Sequence, residues 1–376
     1  MLGIVGDTGV SPGLPPELAA ELCASAARTH RTGVPDPEAL AALRGSGLLG
    51  TAVPARYGGT GGGAPEVNEV VRRLAMVNPS LAIVAFQHFA VSARIAEWGS
   101  PRQRRELLPA LADGSRLAAS AWSEPGAGAA KHHITSTGER RRDGRWTLTG
   151  AKSFTTAASI ADLYLVLVRT DDAAHGDPSL YGSPGQSFFL VPGDCPGLSA
   201  DLSLDLVGMR GSATGFVSLD GCVVADEDRL GPEGRAADII AAVREYGATL
   251  GAVAAGIARA ALDLALEHVV RRGTVAALPV RHRLTDTATR VEAVEAMIER
   301  SGARSSPDPG LTTLHSKMFA STTAEQVCLE LAHLLGSAGY TTASDINRLV
   351  LDARAVALMG PTNELCRDIV AAGWAR

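Results

Sequence analysis

The sequence predicts an α+β fold in three consecutive parts, with helices at both ends and strands in the middle. Apolar residues recur at helical spacing in the first and last thirds, whereas short apolar or alternating runs separated by Gly, Pro, Asp and Ser fill the centre. We place an N-terminal helical domain at residues 1–117, a β-barrel domain at 118–231 and a C-terminal helical bundle at 232–376. A chain of 376 residues can form a sizeable core in each part.

The helical parts are predicted from periodicity and from helix-start signals. Apolar residues between Pro65 and Val77 fall on one helical face, and Pro101 can occupy the first turn of another helix that continues to Gly114. In the C-terminal part we expect one long Ala- and Gly-rich helix over Asp238–Arg272. Further helices are predicted at 285–300, 313–335, 344–357 and 361–373.

The central part is predicted to be all strand. Its clearest strands are "RWTLTG", "LYLVLVR", "SFFLV" and "GFVSL", at 145–150, 163–169, 187–191 and 215–219. Since no helical pattern separates them, we expect a small antiparallel barrel or sandwich.

Composition excludes several function classes. The net charge of -5 argues against a nucleic-acid partner, which needs clustered positive charge. The five cysteines are scattered without a Cys-x-x-Cys pair, so neither a metal site nor a disulfide framework is indicated. The first residues lack the pattern of a signal peptide, and no apolar run approaches the roughly 20 residues of a membrane helix. We therefore expect a cytoplasmic protein with no membrane partner.

The most specific pattern lies between residues 120 and 159. It contains Ser-Glu-Pro-x-x-Gly from Ser123 to Gly128, then a predicted strand, then Gly-x-Lys-x-Phe-x-Thr from Gly150 to Thr156. An isoalloxazine ring needs a flat apolar wall with a few hydrogen-bond donors, which these residue types provide. The alternative is a Gly-Pro turn followed by an ordinary strand.

These motifs resemble the flavin-binding signature of the acyl-CoA dehydrogenase family. Further similar segments follow in the family's order at 47–63, 206–215, 256–272 and 334–365, so the resemblance spans about residues 45–375. It implies FAD as cofactor, a central β-barrel and a C-terminal four-helix bundle. It also implies α,β-desaturation of an acyl thioester, with hydride transfer to flavin N5.

The resemblance also implies cofactor-binding residues. Trp122, Ser123, Gly128, Phe154 and Thr156 would surround the isoalloxazine. Gly336, Thr362 and Glu364 would contact the dinucleotide part of FAD, with His333 at the family's usual glutamine position. Arg272 and Thr274 would reach the diphosphate of a neighbouring subunit, which implies a homodimer or homotetramer. Arg272 can also be an ordinary exposed arginine at a helix end.

The catalytic base departs from the family pattern. The family's Glu-Gly-Thr is here Gly360, Pro361 and Thr362, and a glycine cannot be a general base. One branch of the family carries its base on the long helix of the third domain, at the position of Tyr246. Glu245 lies one residue earlier, about 100° around a helix, and is our candidate catalytic base. The alternatives are an exposed glutamate without a role, or Tyr246, whose ordinary pKa of about 10 makes it a poor base.

Three functions follow from these observations. The first is an FAD-dependent dehydrogenase of an acyl thioester carried by CoA or a carrier protein, passing electrons to a flavoprotein or to oxygen. The second is a flavin-dependent monooxygenase or oxidase on the same fold. The third is a catalytically silent homologue.

Overall fold

The N-terminal part of the protein is helical, as predicted. The structure, a computed structural model, describes residues 13–127, 133–171 and 182–374. Each N-terminal helix has proline at its first or second position, where a missing N–H costs nothing. These helices are α1 (Pro16–Thr32), α2 (Pro37–Gly45), α3 (Ala64–Val77), α4 (Pro79–Trp98) and α5 (Pro101–Ala112).

The described strands of the central part form one sheet. They are β1 (Ala118–Ala121), β2 (Thr137–Arg140), β3 (Trp146–Thr155), β4 (Leu163–Arg169), β5 (Gln186–Pro192), β6 (Leu198–Asp201), β7 (Gly215–Val224) and β8 (Arg229–Leu230). The strand order is β6-β7-β3-β2-β4-β5-β8, with β1 beside β4. The four predicted strands correspond to β3, β4, β5 and β7.

The expected antiparallel barrel needs correction in one respect. The sheet is mixed, because β1 and β2 pair with β4 in parallel while the other pairs are antiparallel. Strand β1 enters straight from the helical domain, where its first amide, Ala118 N–H, donates to the buried His88 ring at 3.2 Å. Strands β2 and β3 lie between β1 and β4 in the chain, so β1 and β4 are not joined by a hairpin and can pair in parallel. Pairing among the described residues does not close the sheet, because β6 and β8 end the strand order.

The C-terminal part is a bundle in which the other helices pack around one long central helix, α9. Its helices are α6 (Ala236–Tyr246), α7 (Gly251–Arg271), α8 (Leu278–Gly302), α9 (Pro309–Leu334), α10 (Asp345–Leu358) and α11 (Asn363–Ala372). Helix α9 contacts α7, α8 and α10, and α7 also packs on α3 of the N-terminal part. At Gly256 that approach is so close that an added Cβ would lie 2.2 Å from the Arg72 carbonyl oxygen. Only glycine permits this contact between the two helical parts.

The prediction of one long helix over Asp238–Arg272 is wrong. The helix ends at Tyr246 and a new one begins at Gly251. Gly247 adopts a left-handed φ of 91°, and the buried Asn68 holds the break by donating to the Gly247 carbonyl (3.1 Å) and accepting from Thr249 N–H (2.9 Å). Taken together, α6 and α7 (Ala236–Arg271) are long and apolar enough to cross a membrane. However, 72% of their most apolar stretch is buried inside the fold, which is typical of core helices.

Candidate active site

A cavity of about 840 Å³ lies where the three parts of the chain meet. A space of this size suits a large organic ligand. Its walls come from α4, α6 and α9, and from segments at 120–126, 153–156, 206–216, 248–250 and 351–362.

One wall carries the residues predicted to meet the flavin ring. Trp122, Ser123, Phe154 and Thr156 all line the cavity. The pairing of β3 with β7 is irregular between Lys152 and Thr155, and Phe154 within this bulge has a φ of 50°, which is strained for an aromatic residue. As a result the Phe154 side chain remains 64% exposed at the cavity rather than packing in the sheet. Ser153 N–H donates to the Ser123 carbonyl at 2.9 Å, which joins the two flavin-motif segments.

The same wall offers polar groups in an apolar setting. The Trp122 ring packs on Phe188 with centroids 4.9 Å apart, and its buried Nε1 has no hydrogen-bond partner among the described residues. The hydroxyls of Ser212 and Thr214 are 2.8 Å apart, and Thr214 donates to the Thr156 hydroxyl at 3.4 Å. An aromatic wall with an unsatisfied N–H and a row of hydroxyls matches the needs of an isoalloxazine ring. The residues present therefore fit FAD.

A buried ion pair adjoins Ser123 in this wall, and its glutamate also lines the cavity. Lys152 Nζ donates to Glu124 Oε1 at 2.6 Å and to the Leu167 carbonyl, and both side chains are at most 1% exposed. Glu124 also accepts from Thr135 N–H (2.6 Å) and Ser136 N–H (3.1 Å). Burial raises the pKa of Glu124. The charge and hydrogen bond of Lys152, together with the hydrogen bonds from Ser136 and Thr135, outweigh this effect and lower the pKa to about 2. Glu124 is thus an ionised structural group that positions Ser123, and it is a poor proton acceptor.

A second wall of the cavity is formed by the segment between α10 and α11. Gly360, Pro361 and Thr362 line the cavity there. Lys317 of α9 lies beneath them and donates to the Ala357 carbonyl (3.1 Å) and to Asn363 Oδ1 (2.8 Å), at the two ends of this segment. Burial lowers the pKa of Lys317 to about 8. The lysine therefore fixes the position of the segment that replaces the family's Glu-Gly-Thr.

The sequence-predicted cofactor residues divide into two groups. Trp122, Ser123, Phe154, Thr156 and Thr362 line the cavity. Others are exposed and do not line it: Arg272, Thr274, His333, Gly336 and Glu364. Gly128 lies outside the described residues.

The structure does not bring Glu245 to the cavity. Its side chain is exposed on the last turn of α6, on the side of Gly310 at the start of α9. The expected role of Glu245 depends on one continuous helix, whereas α6 ends at Tyr246 and α7 begins at Gly251. Tyr246 is also absent from the lining, because its ring packs beneath the Arg94 guanidinium, 5.2 Å from the ring centroid. Burial raises the pKa of Tyr246, so even less of this side chain is the phenolate that could accept a proton at neutral pH.

Sequence reasoning missed the cationic residues of the cavity. Arg244, Lys317 and Arg354 line it, whereas among the described residues Glu124 is its one carboxylate. A signal for Lys317 was present, because the chain has three lysines against many arginines, and two of the three prove to be buried. No such signal marks Arg244. It is adjacent to Glu245, and which of the two side chains lines the cavity depends on where α6 ends.

Family comparisons cover almost the whole chain. "Acyl-CoA dehydrogenase, N-terminal domain" matches residues 17–115, "Acyl-CoA dehydrogenase, middle domain" matches 119–222 and "Acyl-CoA dehydrogenase, C-terminal domain" matches 241–375.

Individual relatives agree with these matches. Cyclohexane-1-carbonyl-CoA dehydrogenase of Geobacter metallireducens is 31% identical over 92% of this chain and 91% of its own length. L-prolyl-[peptidyl-carrier protein] dehydrogenase of Pseudomonas fluorescens is 27% identical, with 87% of each chain covered. The butyryl-CoA dehydrogenase structure from Megasphaera elsdenii superposes with a TM-score of 0.85 at 24% identity, covering 96% of this chain and 98% of that one.

Proposed function

The chain belongs to the acyl-CoA dehydrogenase family, and we propose that it oxidises an acyl thioester with FAD bound in the central cavity. The observation that carries this proposal is the cavity itself, which is lined both by the flavin-motif residues of the strand domain and by Gly360, Pro361 and Thr362. Relatives named for a CoA thioester and for a carrier-protein thioester support an acyl thioester on either carrier. Bound FAD would supply the hydride acceptor.

The residues of this chain would hold the ring and shape the site around it. Phe154 and Trp122 would provide the apolar wall, and the Thr156 hydroxyl and Trp122 Nε1–H would provide polar contacts. Glu124 and Lys152 would fix the Ser123 segment. The Lys317 contacts would keep Gly360–Thr362 at a set distance, leaving room for the acyl group between the two walls.

The remaining cofactor residues are proposed to act between subunits. Arg272, Thr274, His333 and Gly336 are exposed and lie outside the cavity of a single chain. A homodimer or homotetramer in which these residues contact the FAD of a neighbouring chain would account for their exposure. Light scattering of the FAD-loaded protein tests this assembly, and a monomer that retains FAD would contradict it.

The test of the dehydrogenase function is an anaerobic titration. We would load the full chain with FAD, add straight-chain, branched and carrier-bound acyl thioesters in turn, and follow the visible flavin band. Bleaching by a thioester, with the α,β-unsaturated product identified by mass spectrometry, is the expected result. Stable FAD binding without bleaching by any thioester would refute dehydrogenation.

One observation favours a second candidate function. Among the described residues that line the cavity, Glu124 is the one carboxylate, and it is held by Lys152. A flavin-dependent monooxygenase, or an oxidase whose reaction removes no α-proton, needs no such carboxylate. Consumption of oxygen by the chemically reduced protein together with conversion of a non-thioester substrate would support this candidate.

A further inference from the structure

The charge of the cavity lining is positive once paired groups are accounted for. Glu124 is neutralised by Lys152, and the Lys317 ammonium is engaged with Ala357 and Asn363. Arg354 lies at an exposed position. Among the cations that line the cavity, Arg244 is therefore the half-buried one whose side chain forms no ion pair with a carboxylate of the described residues.

Arg244 lies on the last turn of α6, beside α9. Its backbone carbonyl accepts from the Thr313 hydroxyl at 2.8 Å, which fixes the main chain. Its Nε is buried and has no hydrogen-bond partner among the described residues. Burial lowers the pKa of Arg244, and the guanidinium remains charged at any physiological pH. A buried N–H of a guanidinium costs free energy unless it meets an acceptor.

The nearby carboxylates do not supply that acceptor. Asp308 and Glu245 are close enough to influence the pKa of Arg244, yet neither forms an ion pair with it among the described residues. Asp308 Oδ1 instead accepts from Leu311 N–H at 2.9 Å and caps α9. Glu245 is exposed on the side of Gly310. Burial closes Nε off from the cavity, so an anion inside the cavity would meet the two terminal nitrogens of Arg244.

We infer that the substrate carries a carboxylate on its acyl group and that Arg244 binds this carboxylate. The inference rests on the proposed function and narrows it to a class of substrate, the dicarboxylic acyl thioesters. The planar guanidinium can hold a carboxylate through two parallel hydrogen bonds, which sets both its position and its orientation. The cavity lining also includes the apolar residues Val243, Leu314 and Pro361, so a charged pair inside the cavity is less screened than one in water.

Matched substrate pairs provide the experiment. FAD-loaded full-length protein is titrated anaerobically with glutaryl-CoA against pentanoyl-CoA, and with succinyl-CoA against butyryl-CoA. The members of each pair have equal chain length and differ in a terminal carboxylate or methyl group. The dependence of the bleaching rate on thioester concentration gives the apparent Kd and the limiting rate separately. We expect the dicarboxylic member of at least one pair to bind about 10-fold to 100-fold more tightly.

Variants identify the residue responsible. Arg244→Met removes the preference between pair members, Arg244→Lys keeps part of it, and Arg300→Met, an exposed arginine on α8 outside the cavity, keeps all of it. Equal Kd values within both pairs in the wild type would overturn the inference while leaving the proposed function intact, provided that the monocarboxylic members bleach the flavin.

Two other outcomes also overturn it. Equal weakening of both pair members by Arg244→Met would show that the arginine meets the phosphates of CoA, which the members share. Loss of FAD from this variant at unchanged thermal stability would show that it meets the cofactor. If no thioester of either kind binds or bleaches the flavin, the proposed function fails, and the inference fails with it.

Discussion

Replacing Lys152 by methionine tests whether the buried ion pair organises the flavin wall. Methionine has a similar length and no charge, so the change leaves Glu124 at 2% exposure with hydrogen bonds from Thr135 and Ser136 but without a cation. Removing one partner of a buried pair costs about 3–5 kcal/mol of unfolding free energy, because the remaining charge is uncompensated. The Leu167 carbonyl also loses its lysine donor. We therefore expect a loss near the upper end of this range.

Denaturant unfolding and FAD titration together measure the effect. The variant should unfold at lower denaturant and bind FAD more weakly, because Ser123 is adjacent to Glu124 and shares a hydrogen bond with Ser153. The double variant Glu124→Gln/Lys152→Met is the control: it removes both charges and should recover a large part of the lost stability. A loss below about 1 kcal/mol in Lys152→Met, with unchanged FAD affinity, would refute the structural role assigned to the pair.

The Glu124–Lys152 pair also predicts that the unfolding free energy falls at acid pH. The pKa of Glu124 is about 2 in the folded protein against 4.5 in the free carboxyl, so the folded state favours the ionised form. This contribution is fully present above pH 4.5 and is lost as the pH falls towards 2. At about 1.4 kcal/mol per pKa unit it amounts to about 3 kcal/mol. The double variant Glu124→Gln/Lys152→Met should not lose this part of its unfolding free energy as the pH falls. The same loss in the wild type and the double variant would contradict the lowered pKa of Glu124.

Three further variants test other parts of the structure. Asn68→Leu leaves Thr249 N–H buried without its acceptor and removes one of two donors to the Gly247 carbonyl, which keeps the Ser301 hydroxyl. It should cost about 1–3 kcal/mol in denaturant unfolding, whereas a loss of under 0.5 kcal/mol would contradict the role of Asn68 at the helix break. Lys317→Met removes two hydrogen bonds and should cost about 1–3 kcal/mol and increase proteolysis after α10; an unchanged cleavage rate would count against it. Glu245→Gln should retain wild-type bleaching rates, because the side chain is exposed outside the cavity, and a loss above about tenfold would restore Glu245 as the base.

Local patterns in the sequence were sufficient for most elements. The Pro65–Val77 helix and the strands within β3, β4, β5 and β7 follow from periodicity and from turn residues. Strand β1 was missed because "AASA" has little strand propensity and is held by pairing with β4. The break between α6 and α7 depends on Asn68, which is distant in sequence, so no pattern around Gly247 alone could predict it.

The candidate site shows the same division between local and long-range information. The flavin motifs were visible because they are contiguous and their chemistry requires particular residue types, whereas the base was assigned by counting along a helix that is interrupted. A one-residue difference in orientation decides which of Arg244 and Glu245 lines the cavity, and the structure selects the arginine. The charge at this wall is therefore positive, whereas Glu245 as the base would have made it negative. A cation at this wall cannot accept the α-proton, so under the inference above Arg244 acts on which acyl groups bind and not as the base.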